Sequence, residues 1–278
     1  MTMWSSTLRA DLCRRAHDYA VQERLPFYQS LGKSAVVLFP PDPERGVHGN
    51  FHPEAYRAVT SNPEWAWRLT KAHAQRERAL PSPYDRTACE MDACTSSDAL
   101  LMNVMCYPGV VAGALAGLLR VEENAVPRFG VAGAVPLANG SLDSTEVDMQ
   151  IGDTNVEAKL TETSFTTKAA ASVERYTDLD HVFEKGALPR TPGENAEASE
   201  FASYQLIRNV LAIARKPQAR FLVLLDGRRP DLLREWWNIY GAIRDANLRA
   251  RCGFVFWQEV AAAAPAQLRE FLTLKYGL

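Results

Sequence analysis

The chain has 278 residues, which is enough for one large domain or two small ones. Apolar residues make up 47% and charged residues 23%, proportions that are ordinary for a soluble globular protein. The 31 basic and 33 acidic residues give a net charge of −2. That balance argues against a protein that coats polyanions in general, but it allows a basic groove on an otherwise acidic surface.

Cysteine usage and the first residues predict a cytoplasmic protein. The five cysteines include no Cys-x-x-Cys pair, which argues against a zinc ribbon and against a disulfide framework. Residues 1–9 lack the apolar block of a signal peptide. Residues 99–119 carry no charge and are long enough for a membrane span, but Pro108-Gly109 interrupts them. We therefore expect two buried helices there and no membrane partner.

Residues 1–93 predict a mainly helical N-terminal region packed on the rest of the chain. Helices are predicted over 5–23, 53–60 and 62–80, and a short strand over 34–39. The helix predicted over 62–80 carries tryptophans and basic residues, so it could contact nucleic acid or present a solvated face. The role of this region stays open between target recognition, dimerisation and cover for a sheet.

Residues 94–278 predict one α/β core domain. Thr95-Ser96-Ser97-Asp98 is a strong helix start before an apolar stretch. Further predictions are a strand over 125–135, an exposed loop over 186–199, helices over 200–214, 230–247 and 265–275, and buried strands over 221–225 and 253–257. Buried strands joined by a helix imply a parallel pair with a right-handed crossover. The expected fold is a mixed central β-sheet flanked by α-helices.

A β-hairpin is predicted over residues 145–162. Apolar and polar residues alternate on both sides of a Gly-Asp-Thr-Asn turn at 152–155. The apolar set, which should face a core, is Val147, Met149, Ile151, Val156, Ala158 and Leu160. The opposite face holds Asp148, Glu157 and Lys159, and antiparallel pairing could bring these side chains together. Such a face is either an ordinary solvated surface or a metal site.

The residue types on this face suit phosphate chemistry. The phosphate-loop, dinucleotide, zincin and hydrolase-elbow motifs are absent from the sequence. Two carboxylates on adjacent strands can hold a hard divalent cation such as Mg²⁺, which lowers the pKa of a bound water and neutralises charge on a phosphate. Lys159 could orient the water, lower its pKa, or stabilise developing negative charge. The three residues alone do not separate a metal site from a solvated surface.

Asp148 and the Glu157-Ala158-Lys159 triplet nine residues on resemble the PD-(D/E)xK nuclease superfamily. The core of that superfamily is a helix, three antiparallel strands, a helix and a further strand, and the predicted elements follow this order. Val147 stands where the superfamily motif has proline. A second resemblance, over about residues 94–256, is to the PGN_0703-type restriction endonucleases. It rests on Ser96-Ser97 with Asn103, on Glu157–Glu162 followed by Phe165, and on Tyr204-Gln-Leu-Ile-Arg-Asn209.

The resemblance implies a Mg²⁺-dependent DNA endonuclease with a restriction-endonuclease-like core, in which Mn²⁺ can substitute. Asp148, Glu157 and the Ala158 carbonyl would bind the cation, and Lys159 would be the catalytic lysine. An acidic residue on or after the first core helix would add to the site, with Glu122 and Glu123 as candidates.

On the helix after the hairpin, Gln205, Arg208 and Asn209 would contact phosphate or support Lys159; the alternative for Arg208 and Asn209 is a helix surface pair. Two other functions stay open: an inactive binding or assembly module with the same fold, and a phosphodiesterase acting on RNA. Cleavage of both DNA strands would favour a homodimer.

Overall fold

The computed structural model describes residues 2–30, 35–72, 88–193 and 199–278. Its helices are α1 (Met3–Gln22), α2 (Pro53–Ser61), α3 (Pro63–Ala66), α4 (Ser97–Met105), α5 (Gly113–Leu119), α6 (Ala170–Val173), α7 (Leu179–Val182), α8 (Tyr204–Ala214), α9 (Pro230–Ala242), α10 (Ala246–Ala250), α11 (Trp257–Ala263) and α12 (Ala266–Tyr276). Short 3-10 helices are Trp67–Thr70, Glu90–Asp92 and Lys185–Ala187.

The strands are β1 (Tyr28–Gln29), β2 (Val37–Leu38), β3 (Pro41–Asp42), β4 (Val47–His48), β5 (Pro127–Ala132), β6 (Val135–Pro136), β7 (Leu142–Asp143), β8 (Glu146–Ile151), β9 (Thr154–Ala158), β10 (Thr167–Ala169), β11 (Arg190–Pro192), β12 (Ser199–Ala202), β13 (Arg220–Leu225) and β14 (Cys252–Phe256). Five of them form the central sheet, in the order β14-β13-β9-β8-β5. Strands β5, β8 and β9 are antiparallel neighbours, and β13 and β14 run parallel to β9. The predicted mixed α/β fold is confirmed.

Helices cover both faces of this sheet, because one face is apolar on β8, β9 and β13 and the other is apolar on β13. On one face, Met149 and Val156 belong to a core shared with α4, α5, α11 and α12. On the other face, Phe221 and Val223 of β13 pack with α8 and α9. The first core also includes Leu8 of α1, so the N-terminal region packs on the sheet domain. A domain boundary at residue 93 stays a prediction.

The uncharged stretch over 99–119 forms two helices with a break between them, as predicted. Helix α4 begins after Ser96, whose hydroxyl accepts a hydrogen bond from the Ala99 amide at 3.1 Å. All of α4 is buried, and Pro108 lies in the segment before α5. Within the described residues, no helix is long and apolar enough to cross a membrane.

Several predicted boundaries are wrong. The helix predicted over 62–80 gives way to a 3-10 turn and ends by Thr70, before a bridge between Ala72 and Cys89; residues 73–80 of that prediction lie outside the described residues. The predicted loop over 186–199 includes β11 and the start of β12, which form a small sheet with β10. Helix α8 begins at 204 because Ser203 adopts a left-handed conformation (φ 56°) between strand and helix. Helix α11 was not predicted.

Candidate active site

Glu157 lies at the centre of the polar face of the hairpin, and its side chain is fully buried. One carboxylate oxygen accepts hydrogen bonds from Lys159 Nζ at 2.7 Å and from Gln205 Nε2 at 2.6 Å. The other accepts from Asn209 Nδ2 at 2.8 Å, and Arg208 Nη2 lies 3.8 Å from it. This face is therefore a buried polar cluster, and the alternative of a solvated surface is wrong.

Lys159 follows the last residue of β9 and is held at both its main chain and its side chain. Its amide donates to the Leu224 carbonyl of β13 at 2.8 Å, and its carbonyl accepts from Trp257 Nε1 at 3.0 Å. Its ammonium lies 5.7 Å from the centre of the Phe165 ring. Burial acts to lower the pKa of Lys159, but the neighbouring negative charges, that of Glu157 above all, outweigh it and hold this pKa above its ordinary value.

Asp148 lies beside Glu157 on the neighbouring strand. The antiparallel pairing of β8 with β9 brings it there, and its carboxylate accepts a hydrogen bond from the Ala158 amide at 2.8 Å. Burial raises the pKa of Asp148 well above its ordinary value, and the charges of Glu157 and Asp98 raise it further. Lys159 acts in the opposite direction. The two carboxylates share this site with the Lys159 ammonium and with the Arg208 guanidinium, which lie 2.7 Å and 3.8 Å from Glu157.

Helix α8 brings the three residues predicted on it to this cluster. Gln205, Arg208 and Asn209 share one face because they are three and four positions apart. Asn209 accepts from Arg208 Nε at 3.1 Å and Nη2 at 2.9 Å, and Arg208 Nη2 also donates to the Glu146 carbonyl at 2.9 Å. Arg208 and Asn209 are buried, so the alternative of a helix surface pair is wrong. Both side chains fix the position of the Glu157 carboxylate.

The comparison with known families connects the chain to restriction endonucleases. A family model described as "Restriction Endonuclease associating with ARP" matches residues 14–277. The chain belongs to this restriction endonuclease family. No curated protein and no solved structure matches the chain. The PD-(D/E)xK assignment and the PGN_0703 resemblance stay predictions.

Sequence reasoning missed one acidic residue near the site of this restriction endonuclease family member. Asp98, in the first turn of α4, contributes to the raised pKa of Asp148. Glu122 and Glu123, the acids predicted to add to the site, lie exposed in the turn after α5, where Glu123 accepts from the Gly113 amide at 3.0 Å. Asp98 is the acidic residue on the first core helix, one of the two places where the resemblance implies an acid. An acid in a first helical turn is also an ordinary helix feature, which is why the prediction named Glu122 and Glu123 instead.

The donor atoms of the cluster fit a hard divalent cation. Asp148 and Glu157 supply carboxylate oxygens on adjacent strands, and such ions prefer oxygen ligands. Gln205 Oε1 is buried and has no hydrogen-bond partner among the described residues, so it is a further oxygen in need of a partner. Three or more His, Cys, Asp or Glu side chains do not converge as a metal-binding group anywhere in the described ranges. A cation here would therefore depend on two carboxylates with amide and carbonyl oxygens.

Proposed function

We propose that this chain is a divalent-cation-dependent DNA endonuclease of the PD-(D/E)xK type. The observation that carries the proposal is the buried Glu157 carboxylate, which is bonded to Lys159 and lies beside Asp148. Burial of polar groups with opposite charges costs free energy, so such clusters concentrate at functional sites. Membership in a restriction endonuclease family gives the cluster a matching chemistry.

In this proposal, Asp148, Glu157 and the Ala158 carbonyl hold Mg²⁺, which Mn²⁺ can replace. When bound, the cation supplies a Lewis acid that lowers the pKa of water and offsets charge on the phosphate. Lys159 places a positive charge beside the same carboxylates, where it stabilises negative charge that develops on the phosphate oxygens. Asn209 and Gln205 donate to Glu157 and keep its oxygens in place for these roles.

DNA is the proposed substrate, because the family is one of restriction endonucleases. Cleavage of both strands by one site per chain favours a homodimer, which stays a prediction together with the cytoplasmic location. An RNA substrate is the alternative that the same chemistry allows.

The test is incubation of the protein with plasmid, linear duplex, single-stranded DNA and RNA, with and without Mg²⁺. We expect Mg²⁺-dependent cleavage of DNA by the wild type and its loss in Asp148→Asn, because the variant lacks the carboxylate charge proposed to hold the cation. Asparagine keeps an oxygen that can accept from the Ala158 amide, so the variant should fold. Asp153→Asn is the matched control, since Asp153 is an exposed residue of the hairpin turn. Equal cleavage by the wild type and Asp148→Asn would refute the site.

A second candidate function is a binding or assembly module that does not cleave. It is favoured by the contacts that Glu157 already makes within the chain, since its two oxygens accept hydrogen bonds from Lys159, Gln205 and Asn209. Titration calorimetry with Mg²⁺ or Mn²⁺ separates the two functions. Heat of binding that disappears in Asp148→Asn supports the nuclease, and a folded wild type that binds neither ion supports the module.

A further inference from the structure

A second ion-pair network, buried at Arg68 and Asp98, adjoins the candidate site and joins the N-terminal region to the sheet. Arg68 is 1% exposed, and one of its terminal nitrogens donates to the Asp98 carboxylate. Its other terminal nitrogen lies 3.3 Å from the carboxylate of Glu146, which belongs to β8. Lys71 Nζ also lies 3.3 Å from Asp98. The charge of Asp98 is therefore already compensated by residues of the chain.

Gly130 of β5 makes the room for the guanidinium. The register places it between the pairs Phe129↔Met149 and Val131↔Val147, so it lies across from Asp148. A Cβ atom at Gly130 would come within 2.8 Å of Arg68 Nη1, and the backbone there has a positive φ of 62°. The glycine thus lets Arg68 approach the strand that carries Asp148.

We propose that Arg68 is a positioning residue that neutralises Asp98, so that the site binds a single divalent cation at Asp148 and Glu157. This inference rests on the proposed function. It also assigns Asp98 a role as the partner of Arg68 and not as a ligand of the cation.

The physical reason is the number of negative charges beside the hairpin. Asp148, Glu157 and Asp98 together would attract more than one divalent cation if all three were free. A guanidinium carries its charge at every pH that proteins experience, and its fork can bond two carboxylates at once. Arg68 does this between Asp98 and Glu146, so a fixed internal charge takes the place of a second ion.

Titration calorimetry with Mn²⁺ tests the inference, because it counts ions and measures affinity without cleavage. The informative variant is the double substitution Arg68→Met with Asp98→Asn, which removes both charges of a buried pair together and avoids an unpaired buried charge. We expect one Mn²⁺ per chain for the wild type and for the double variant, with affinities within roughly threefold of each other. Arg128→Met is the matched control, since Arg128 is an exposed arginine of β5.

The single substitution Arg68→Met should leave Asp98 with Lys71 as its remaining positive partner. We expect it to bind a second Mn²⁺ or to bind the first at least roughly tenfold more tightly, because a nearby positive charge has been removed. Loss of Mn²⁺ binding in the double variant would overturn the inference, because Asp98 would then be a ligand. Two ions per wild-type chain would also overturn it, whereas a wild type that binds none would overturn the proposed function as well.

Discussion

Replacement of Lys159 by methionine should cost the protein about 3 kcal/mol of folding free energy. The Lys159–Glu157 pair is buried and 2.7 Å long, and methionine keeps most of the side-chain volume while it removes the charge. Loss of one partner of a buried pair costs about 3–5 kcal/mol, because the other charge is left uncompensated. Glu157 keeps its bonds from Gln205 and Asn209, which places the expected cost at the low end.

Urea unfolding followed by circular dichroism measures this cost. At a slope of about 2–3 kcal/mol per molar, the midpoint should fall by about 1 M urea. The double variant Lys159→Met with Glu157→Gln should regain part of the loss, because it removes both charges of this pair but leaves the buried Arg208 without its ion-pair partner. A midpoint for Lys159→Met within about 0.3 M of the wild type would refute the reasoning.

Three further predictions concern other buried contacts. Asn209→Ala removes the donor to Glu157 and the acceptor for Arg208, so the free energy of unfolding measured with urea should fall by about 3 kcal/mol. The control Gln205→Ala should lose about 1 kcal/mol, and equal losses in the two variants would contradict the prediction. Gly130→Ala should lower the free energy of unfolding by about 1–3 kcal/mol, because Gly130 has a positive φ and lies close to an Arg68 nitrogen. Gly117→Ala, on the open surface of α5, should raise it by up to about 1 kcal/mol. An unchanged free energy of unfolding in Gly130→Ala would refute the argument from backbone strain. Lys275→Met should raise thermal stability at neutral pH, because burial lowers the pKa of Lys275 well below its ordinary value.

The sign of the Lys275 effect follows from the protons bound by each state. The unfolded chain keeps an ordinary lysine pKa of about 10.4, so it binds the proton more readily than the folded protein below that pH. The free energy of unfolding of the wild type, relative to that of Lys275→Met, should therefore rise as the pH increases from neutral toward about 10. Unfolding midpoints of both proteins across this range check the prediction, and parallel pH profiles would contradict it.

The hairpin, helices α8, α9 and α12 and strands β13 and β14 could be predicted from sequence because their periodicity is local. Period-two alternation fixes which residues of β8 and β9 share a face, so Asp148 and Glu157 could be paired from the chain alone. What covers that face is not local information. The burial of Glu157 depends on α8, which starts 47 residues later, and on side chains whose direction no pattern encodes.

The same limit explains the missed residues. Arg68 lies in a stretch whose basic residues predict a solvated helix face, yet the 3-10 turn at 67–70 directs it to Asp98. That contact spans 30 residues and needs the absence of a side chain at Gly130. The spacing of charged residues in the sequence indicates neither the 3-10 turn at 67–70 nor the space beside Gly130. The proposed role of Asp98 depends on both features.

The bonds around Lys159 also set the order in which a growing chain could acquire the site. Glu157 needs Gln205 and Asn209 of α8, and the main chain of Lys159 is held by Leu224 and by Trp257, almost 100 residues downstream. On the ribosome, synthesis must pass Trp257 before this lysine is fixed. We therefore expect fragments that end before Trp257, which lack the donor to the Lys159 carbonyl, not to bind Mn²⁺.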